Sequence, residues 1–244
     1  MKRSEVNRIL QEASAFLDSR MFTLPPWAYW SPKQWSEILD GPEKANAHAE
    51  IIDNGLGWDL TDFGLGDYAS AGLLLFTLRN GNPEKPGGKP YAEKILVVKE
   101  AQVTPMHFHW SKMEDIIVRG GGNLQVQLYN AAQGTAPASE PPAPLDKVGE
   151  IEVGIDGVKR TFQSGAVVTL EPGQSICLPQ YLYHSFWAEP GTGTVLAGEV
   201  SMVNDDAQDN CFLDAPGRFP QIEEDVPPWV LLCTEYRNAS RYAS

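Results

Sequence analysis

Thr104-Pro-Met-His107-Phe-His109-Trp-Ser-Lys112-Met-Glu114-Asp-Ile-Ile-Val-Arg-Gly120 is the stretch on which the fold turns. Residues two apart on a β-strand share a face, so His107 and His109 present both imidazoles to one side. Glu114 follows across Trp110-Ser-Lys-Met113, a gap that a short turn can fold so that a carboxylate on the next strand returns beside the pair. The run after it reads as a strand that closes in Gly120-Gly121-Gly122. The chain has four histidines. A further ligand must come from a distant strand, and His184, in Leu178-Pro-Gln-Tyr-Leu-Tyr-His184-Ser-Phe-Trp, is the candidate; His48 sits in a polar segment and reads as surface. A lone His-x-His is more readily a hydrogen-bonded polar pair. The glutamate at the right spacing and the third histidine favour a metal site. Three imidazoles and one carboxylate form a mixed N/O set suited to Mn, Fe, Co, Ni or Zn. An octahedral ion held by four protein ligands keeps two adjacent positions open for chemistry.

Around this stretch, strand signals dominate. Residues 73–79, 94–99, 114–118, 123–129, 150–155, 158–162, 166–170, 175–178, 184–188 and 194–200 are short β-rich runs divided by turn residues. Asp156-Gly157 between two of them is a two-residue hairpin signal. Many short strands at near-regular spacing predict an all-β closed or sandwiched barrel, which leaves few exposed edges. Upstream, Val6, Ile9, Leu10, Ala13, Phe16 and Leu17 recur at helical spacing and predict a helix from about Ser4 to Arg20. Ser31-Pro-Lys-Gln34 starts a second helix with a capping box. Leu24–Trp30 between them is apolar and extended, a clamp for packing the helices on the barrel. The Ala- and Pro-rich residues 131–146 read as a long loop or insertion. The run from Trp229 to Tyr236 is one more strand or an arm over the barrel. One domain, 1–244, is expected: a helical cap and arm over 1–60, a metal-binding barrel over 70–203 and a tail over 204–244.

Composition narrows the partners. The formal net charge of −13 repels nucleic acid and anionic membrane, and there is no basic stripe to offset it. Three cysteines (Cys177, Cys211, Cys233) without metal-type spacing read as reduced thiols of a cytoplasmic protein. The start of the chain runs into an amphipathic pattern, so no signal peptide is expected, and no window reaches the ~18 apolar residues of a transmembrane helix.

The constellation resembles the cupin superfamily, whose double-stranded β-helix, or jelly-roll, carries a His-x-His, a glutamate and a closing glycine, then a second motif ending in a histidine after a proline turn. Gly120 stands as the closing glycine and Pro179 in the turn, while Ala101-Gln-Val-Thr-Pro105 occupies the place of the family's opening glycine. The likeness is closer to the D-lyxose isomerase family of bacterial sugar isomerases. It is carried by Leu56-Gly-Trp-Asp-Leu-Thr-Asp-Phe-Gly64, Leu75-Phe-Thr-Leu-Arg-Asn-Gly81, Lys89-Pro-Tyr-Ala-Glu-Lys94, the metal stretch, Leu182-Tyr-His-Ser-Phe-Trp-Ala-Glu189 and Gly198-Glu-Val-Ser-Met-Val-Asn-Asp-Asp206. The resemblance implies manganese-dependent interconversion of D-lyxose with D-xylulose, and of D-mannose with D-fructose, in a protein that is first expected to be a homodimer. Mn2+ is the expected metal, with Co2+, Ni2+, Zn2+ or Fe2+ as alternatives.

The residues suit such chemistry independently. An aldose–ketose isomerase moves one hydrogen between C1 and C2, and a carboxylate within reach of both carbons can carry it through a metal-stabilised cis-enediolate. Glu199, in an apolar late strand, is the candidate base, with Glu114 a rival; its alternative is an exposed strand-edge carboxylate. Lys94 and Lys112 are solvated-face lysines on sequence alone; with the resemblance they become catalytic and substrate-binding cations. Asp209 and Arg218 are the candidates for distal sugar hydroxyls or for ordering a closing tail. Two other classes compete: a cupin dioxygenase, which would favour an apolar pocket, and a non-catalytic sugar- or metal-binding cupin, which needs no proton-transfer group.

Overall fold

A computed structural model of the chain describes residues 1–83, 85, 87–132, 144–203, 209–214 and 220–242. Four helices come first: α1 (Arg3–Ser19), α2 (Pro32–Leu39), α3 (Pro42–Ala47) and α4 (Ala49–Asp53), with a 3-10 turn at Pro26–Tyr29. Strands follow: β1 (Gly57–Thr61), β2 (Leu73–Arg79), β3 (Tyr91–Val98), β4 (Thr104–His109), β5 (Glu114–Gly121), β6 (Leu124–Ala131), β7 (Leu145–Asp146), β8 (Glu150–Ile155) and β9 (Val158–Gln163). Then come β10 (Val167–Leu170), β11 (Ser175–Leu178), β12 (Leu182–Ala188), β13 (Val195–Met202), β14 (Asn210–Phe212) and a 3-10 helix at Tyr236–Tyr242.

The described strands form two curled antiparallel sheets. One runs β1-β2-β3-β13-β5-β11-β8-β9 and the other β10-β6-β12-β4-β14, with β7 on β6. Apart from β1-β2-β3, β6-β7 and β8-β9, neighbours in the sheets are not consecutive in sequence, the crossing pattern of a jelly-roll. The inner faces share one core: Leu96, Ile116, Ile176 and Val195 from the first sheet meet Leu124, Val126, Val168 and Phe186 from the second. The fold is therefore the antiparallel barrel that the strand pattern predicts, and of the cupin type that the resemblance implies. The hairpin at Asp156-Gly157 forms as expected, with Ile155 opposite Val158 and both turn residues at positive φ, 51° and 76°.

The first sheet's outer side is covered by the N-terminal helices. Val6, Ile9, Leu10, Ala13 and Leu17 of α1 pack with Leu74, Phe76, Ile95, Val97 and Leu196, and Val230 and Leu232 of the tail join them. α2 has the predicted capping box between Ser31 and Gln34. The clamp at Leu24–Trp30 packs as expected, Trp27 lying 5.1 Å from Phe76, but it contains a 3-10 turn where an extended run was predicted. Pro25 and Pro26 fix φ values that this tighter turn accepts. The tail from Trp229 is an arm and not a strand: Tyr236 stacks on Trp35 at 4.0 Å. β1, α3 and α4 were not anticipated. Most of 131–146 lies outside the described residues; its two ends pair, Leu145 opposite Ala131.

Arg3 ties the two ends of the chain together. It is fully buried, donates to both Glu224 oxygens at 2.8 and 2.7 Å and also grips Glu235. Arg3→Ala leaves the half-buried Glu235 without its counter-charge. A loss of about 3 kcal/mol in urea unfolding is expected; an unchanged midpoint would mean that the clamp is ornamental.

Candidate metal centre

β4 and β12 bring the histidines together. His184 is directly opposite His107 in the antiparallel pair, so both project to the same face, and their rings stand 4.2 Å apart. His109, two residues on from His107, shares that face, and the ligating atoms of the three rings lie within 4.8 Å of one another. Backbone carbonyls set two tautomers: His107 Nδ1 donates to Pro105 O at 2.8 Å and His184 Nδ1 to Leu182 O at 2.9 Å. Each Nε2 then carries a lone pair toward the centre.

β4 belongs to one sheet and β5 to the other, so the turn Trp110–Met113 carries the chain across the barrel mouth. Asp209 holds that turn. Its carboxylate accepts from Ser111 N at 2.8 Å and Lys112 N at 3.2 Å, and its carbonyl accepts from Trp110 N at 3.0 Å. Glu114 emerges from the turn with Oε1 3.2 Å from His184 Nε2 and 3.5 Å from His109 Nε2. The left-handed backbone that ends β5 falls on Gly121 (φ 90°), where a Cβ would strike the Thr194 carbonyl; Gly120, expected to be the closing glycine, has room around it.

The residues fit a divalent metal. Among the described residues, both ring nitrogens of His109 and Nε2 of His184 are buried without a hydrogen-bond partner, an arrangement that costs about 1–3 kcal/mol per group unless something binds there. Their charge states fit as well. Burial, followed by the neighbouring His184 and His109, holds His107 well below the usual imidazole range. Burial and the Lys112 ammonium lower His109. Burial alone would raise the Glu114 carboxyl, but Lys112 and His109 outweigh it and keep it well below the usual carboxylate range. Neutral imidazoles and an ionised carboxylate are the forms that ligate.

This has a pH consequence. In the unfolded chain the two histidines titrate near 6.5 and in the folded, metal-free chain below it. Below pH 6.5 the unfolded state binds more protons, so this contribution to stability is whole above 6.5 and is lost as pH falls toward the folded values. The urea midpoint of chelator-treated protein is expected to drop between pH 7 and pH 5, by at most about 1.4 kcal/mol per pH unit for each histidine. A flat profile in that window contradicts the buried neutral imidazoles.

Beside the histidines lies a second polar cluster, on the first sheet. Lys112 Nζ sits 2.6 Å from Glu114 Oε2 and 3.0 Å from Glu199 Oε1. Lys94 Nζ approaches Glu199 Oε1 at 3.2 Å. Lys94 and Glu199 are direct cross-strand partners, and both are nearly inaccessible, at 7% and 6% exposure. Glu199 is thus an inward-facing carboxylate and not a strand-edge one, and neither lysine lies on a solvated face. Ser201, which sequence reasoning missed, donates to Glu199 Oε1 at 3.1 Å. Its signal was available, since it stands two residues beyond Glu199 on the same strand face. Phe212, also missed, stacks on His107 at 5.2 Å and forms an apolar wall. Asp209 is placed with Oδ2 3.6 Å from His109 Nδ1. Arg218 lies outside the described residues.

A jelly-roll barrel with a buried three-histidine cluster at its mouth, next to a lysine–glutamate cluster, defines a cupin-type protein with a candidate metal centre. The chain matches the family described as D-lyxose isomerase over residues 1–236, and it belongs to that family. It is 51% identical to a D-lyxose/D-mannose isomerase of Serratia proteamaculans, covering 97% of this chain and 98% of that one. It is 50% identical to a D-lyxose/D-mannose isomerase of Escherichia coli O157:H7, covering 97% and 99%. Among solved structures it shares its fold with L-ribose isomerases. That of Acinetobacter sp. DL28 in complex with L-ribose has a TM-score of 0.56 at 15% identity, covering 91% of this chain and 98% of that one. That of Cellulomonas parahominis with L-ribose has a TM-score of 0.56 at 14% identity, over the same shares. No helix of the described residues is long and apolar enough to cross a membrane.

Proposed function

We propose that this protein is a metal-dependent aldose–ketose isomerase that converts D-lyxose to D-xylulose and D-mannose to D-fructose. The observation that carries the reading is the adjacency of two buried clusters. Three histidines with Glu114 lie beside a carboxylate, Glu199, that meets two ammonium groups. Membership of the D-lyxose isomerase family and the names of the two bacterial relatives support the substrate.

His107, His109 and His184 would hold the ion with Glu114 as the fourth ligand, and when bound it supplies Lewis acidity to the sugar's oxygens. Manganese is the proposed ion. Glu199 takes the proton from C2, whose electron pair becomes the C1–C2 double bond as the carbonyl electrons move to O1. The same carboxyl then returns the proton to C1, while O2 gives up its proton and O1 gains one. Lys112 and Lys94 place positive charge beside the carboxylate and the developing oxyanion in a site that excludes water. Ser201 fixes the rotamer of Glu199. Asp209 acts by holding the turn that presents Lys112 and Glu114, and Arg218 remains a candidate for the distal hydroxyls.

The chain is also proposed to act as one cupin domain over 1–244, since α1, the barrel and the tail share an apolar cluster. A cytoplasmic homodimer is the proposed form, and the three free cysteines support that compartment.

The test is ketose formation from D-lyxose and D-mannose by chelator-treated protein before and after manganese is added. Ketose only with metal is expected. Metal bound and no ketose from either sugar would overturn the isomerase reading, and oxygen consumption would then decide for a dioxygenase.

A further inference from the structure

We propose that Asn210 is a specificity residue of this site, hydrogen-bonding sugar hydroxyls remote from the reacting carbons; the inference rests on the isomerase reading above. Residues facing each other across an antiparallel pair project to the same face of the sheet. β14 runs along β4 with Asn210 opposite His109, Cys211 opposite Phe108 and Phe212 opposite His107. Phe108 and Cys211 pack together on the outer side, whereas Phe212 stacks on His107 on the inner side. Asn210 therefore projects to the histidine side of the sheet, next to His109.

The side chain of Asn210 is half-buried, and its amide oxygen is buried with no hydrogen-bond partner among the described residues. A buried acceptor left unpaired costs about 1–3 kcal/mol, so its persistence beside a binding site points to a donor that arrives with the ligand. A carboxamide offers an acceptor and a donor side by side. Two neighbouring hydroxyls of a sugar present the matching pattern.

Position selects the distal end of the sugar. β4 lies between β12 and β14, so Asn210 flanks His109 on the side away from His184. The proton-transfer cluster of Lys94, Lys112, Glu199 and Ser201 stands on the other sheet and at its turn. A sugar with C1 and C2 between the histidines and Glu199 reaches β14 with its remaining carbons. Phe212 supplies the apolar face there and Asn210 the polar edge. Asp209, locked onto the Trp110–Lys112 turn, fixes the backbone just before Asn210.

The experiment compares manganese-loaded wild type with Asn210→Ala and with the nearly isosteric Asn210→Asp. Steady-state rates are taken on D-lyxose and its 3-, 4- and 5-deoxy analogues, and calorimetry measures binding of D-arabinitol, which cannot isomerise. For Asn210→Ala, KM for D-lyxose is expected to rise about 5- to 100-fold, the range for losing one or two such hydrogen bonds, with kcat little changed. Arabinitol affinity should fall in parallel, and on one deoxy analogue wild type and variant should converge. Asn210→Asp keeps an acceptor and loses the donor, so a partial loss is expected; it also serves if Asn210→Ala proves unstable. An active wild type with KM and arabinitol affinity unchanged in both variants overturns the role of Asn210 and leaves the isomerase standing. A metal-loaded wild type that isomerises nothing overturns the isomerase. Arabinitol binding then judges Asn210 alone, and no difference between wild type and variants overturns it too.

Discussion

Glu199→Gln is expected to lower kcat for isomerisation by about 10³-fold or more while the protein keeps its metal, because general-base catalysis typically contributes 10²–10⁴. Glutamine preserves the shape and can still accept from Lys112, Lys94 and Ser201, whose donors converge on Oε1 of the wild-type residue at 3.0, 3.2 and 3.1 Å. What it removes is the basic oxygen and the negative charge. Glu199 is on β13 and is not one of the residues that would hold the ion, so metal content by elemental analysis should equal that of the wild type. Exchange of the substrate's C2 hydrogen with deuterium oxide should fall with the rate. A variant that isomerises D-lyxose within about tenfold of wild type would sink Glu199 as the base and turn attention to Glu114.

Much of this site was legible in the sequence because most of its geometry is local. His107 and His109 need only strand alternation, and Glu114 needs only the short Trp110–Met113 turn. His184 was within reach for a different reason: the supply of histidines was small. The apolar neighbours of Glu199 were compatible with an inward direction but left an exposed strand edge equally open, and alternation from Glu199 would have reached Ser201. Phe212 and the role of Asp209 were not legible. Both depend on β14 pairing with β4 across about a hundred residues of chain, and no periodicity survives in a three-residue strand. The same holds for β1, whose Gly57–Thr61 register against β2 is visible only in three dimensions. Several predicted strands lost one residue at an end and several gained residues, as β3, β5 and β12 did, because pairing and not propensity sets the boundary. The Arg3 clamp joins the first turn of α1 to Glu224 and Glu235, a contact that side-chain type alone does not suggest.

Lys112→Met is the second substitution with a large expected effect, and it acts on stability and on rate through the same atom. Lys112 Nζ lies between two carboxylates, 2.6 Å from Glu114 and 3.0 Å from Glu199, and the side chain is 3% exposed. Methionine fills a similar volume but supplies no charge. In the metal-free protein it removes the ammonium beside Glu114 and leaves Lys94 beside Glu199. Breaking a buried ion pair from one side costs about 3–5 kcal/mol, so a large fall in the urea midpoint of chelator-treated protein is expected. Glu114 should also lose part of what holds its carboxyl low, since Lys112 is the largest of the lowering influences on it. With divalent metal present, the cation offsets the charge on Glu114, so metal should restore more stability to the variant than it adds to the wild type. The rate should not return with it. Losing a fixed cation beside a developing oxyanion typically costs 10²–10³ in kcat. Urea unfolding with and without manganese, alongside D-lyxose kinetics, separates the two effects. Full activity together with a wild-type midpoint in the metal-free protein would show that Lys112 serves neither the charge balance nor the reaction.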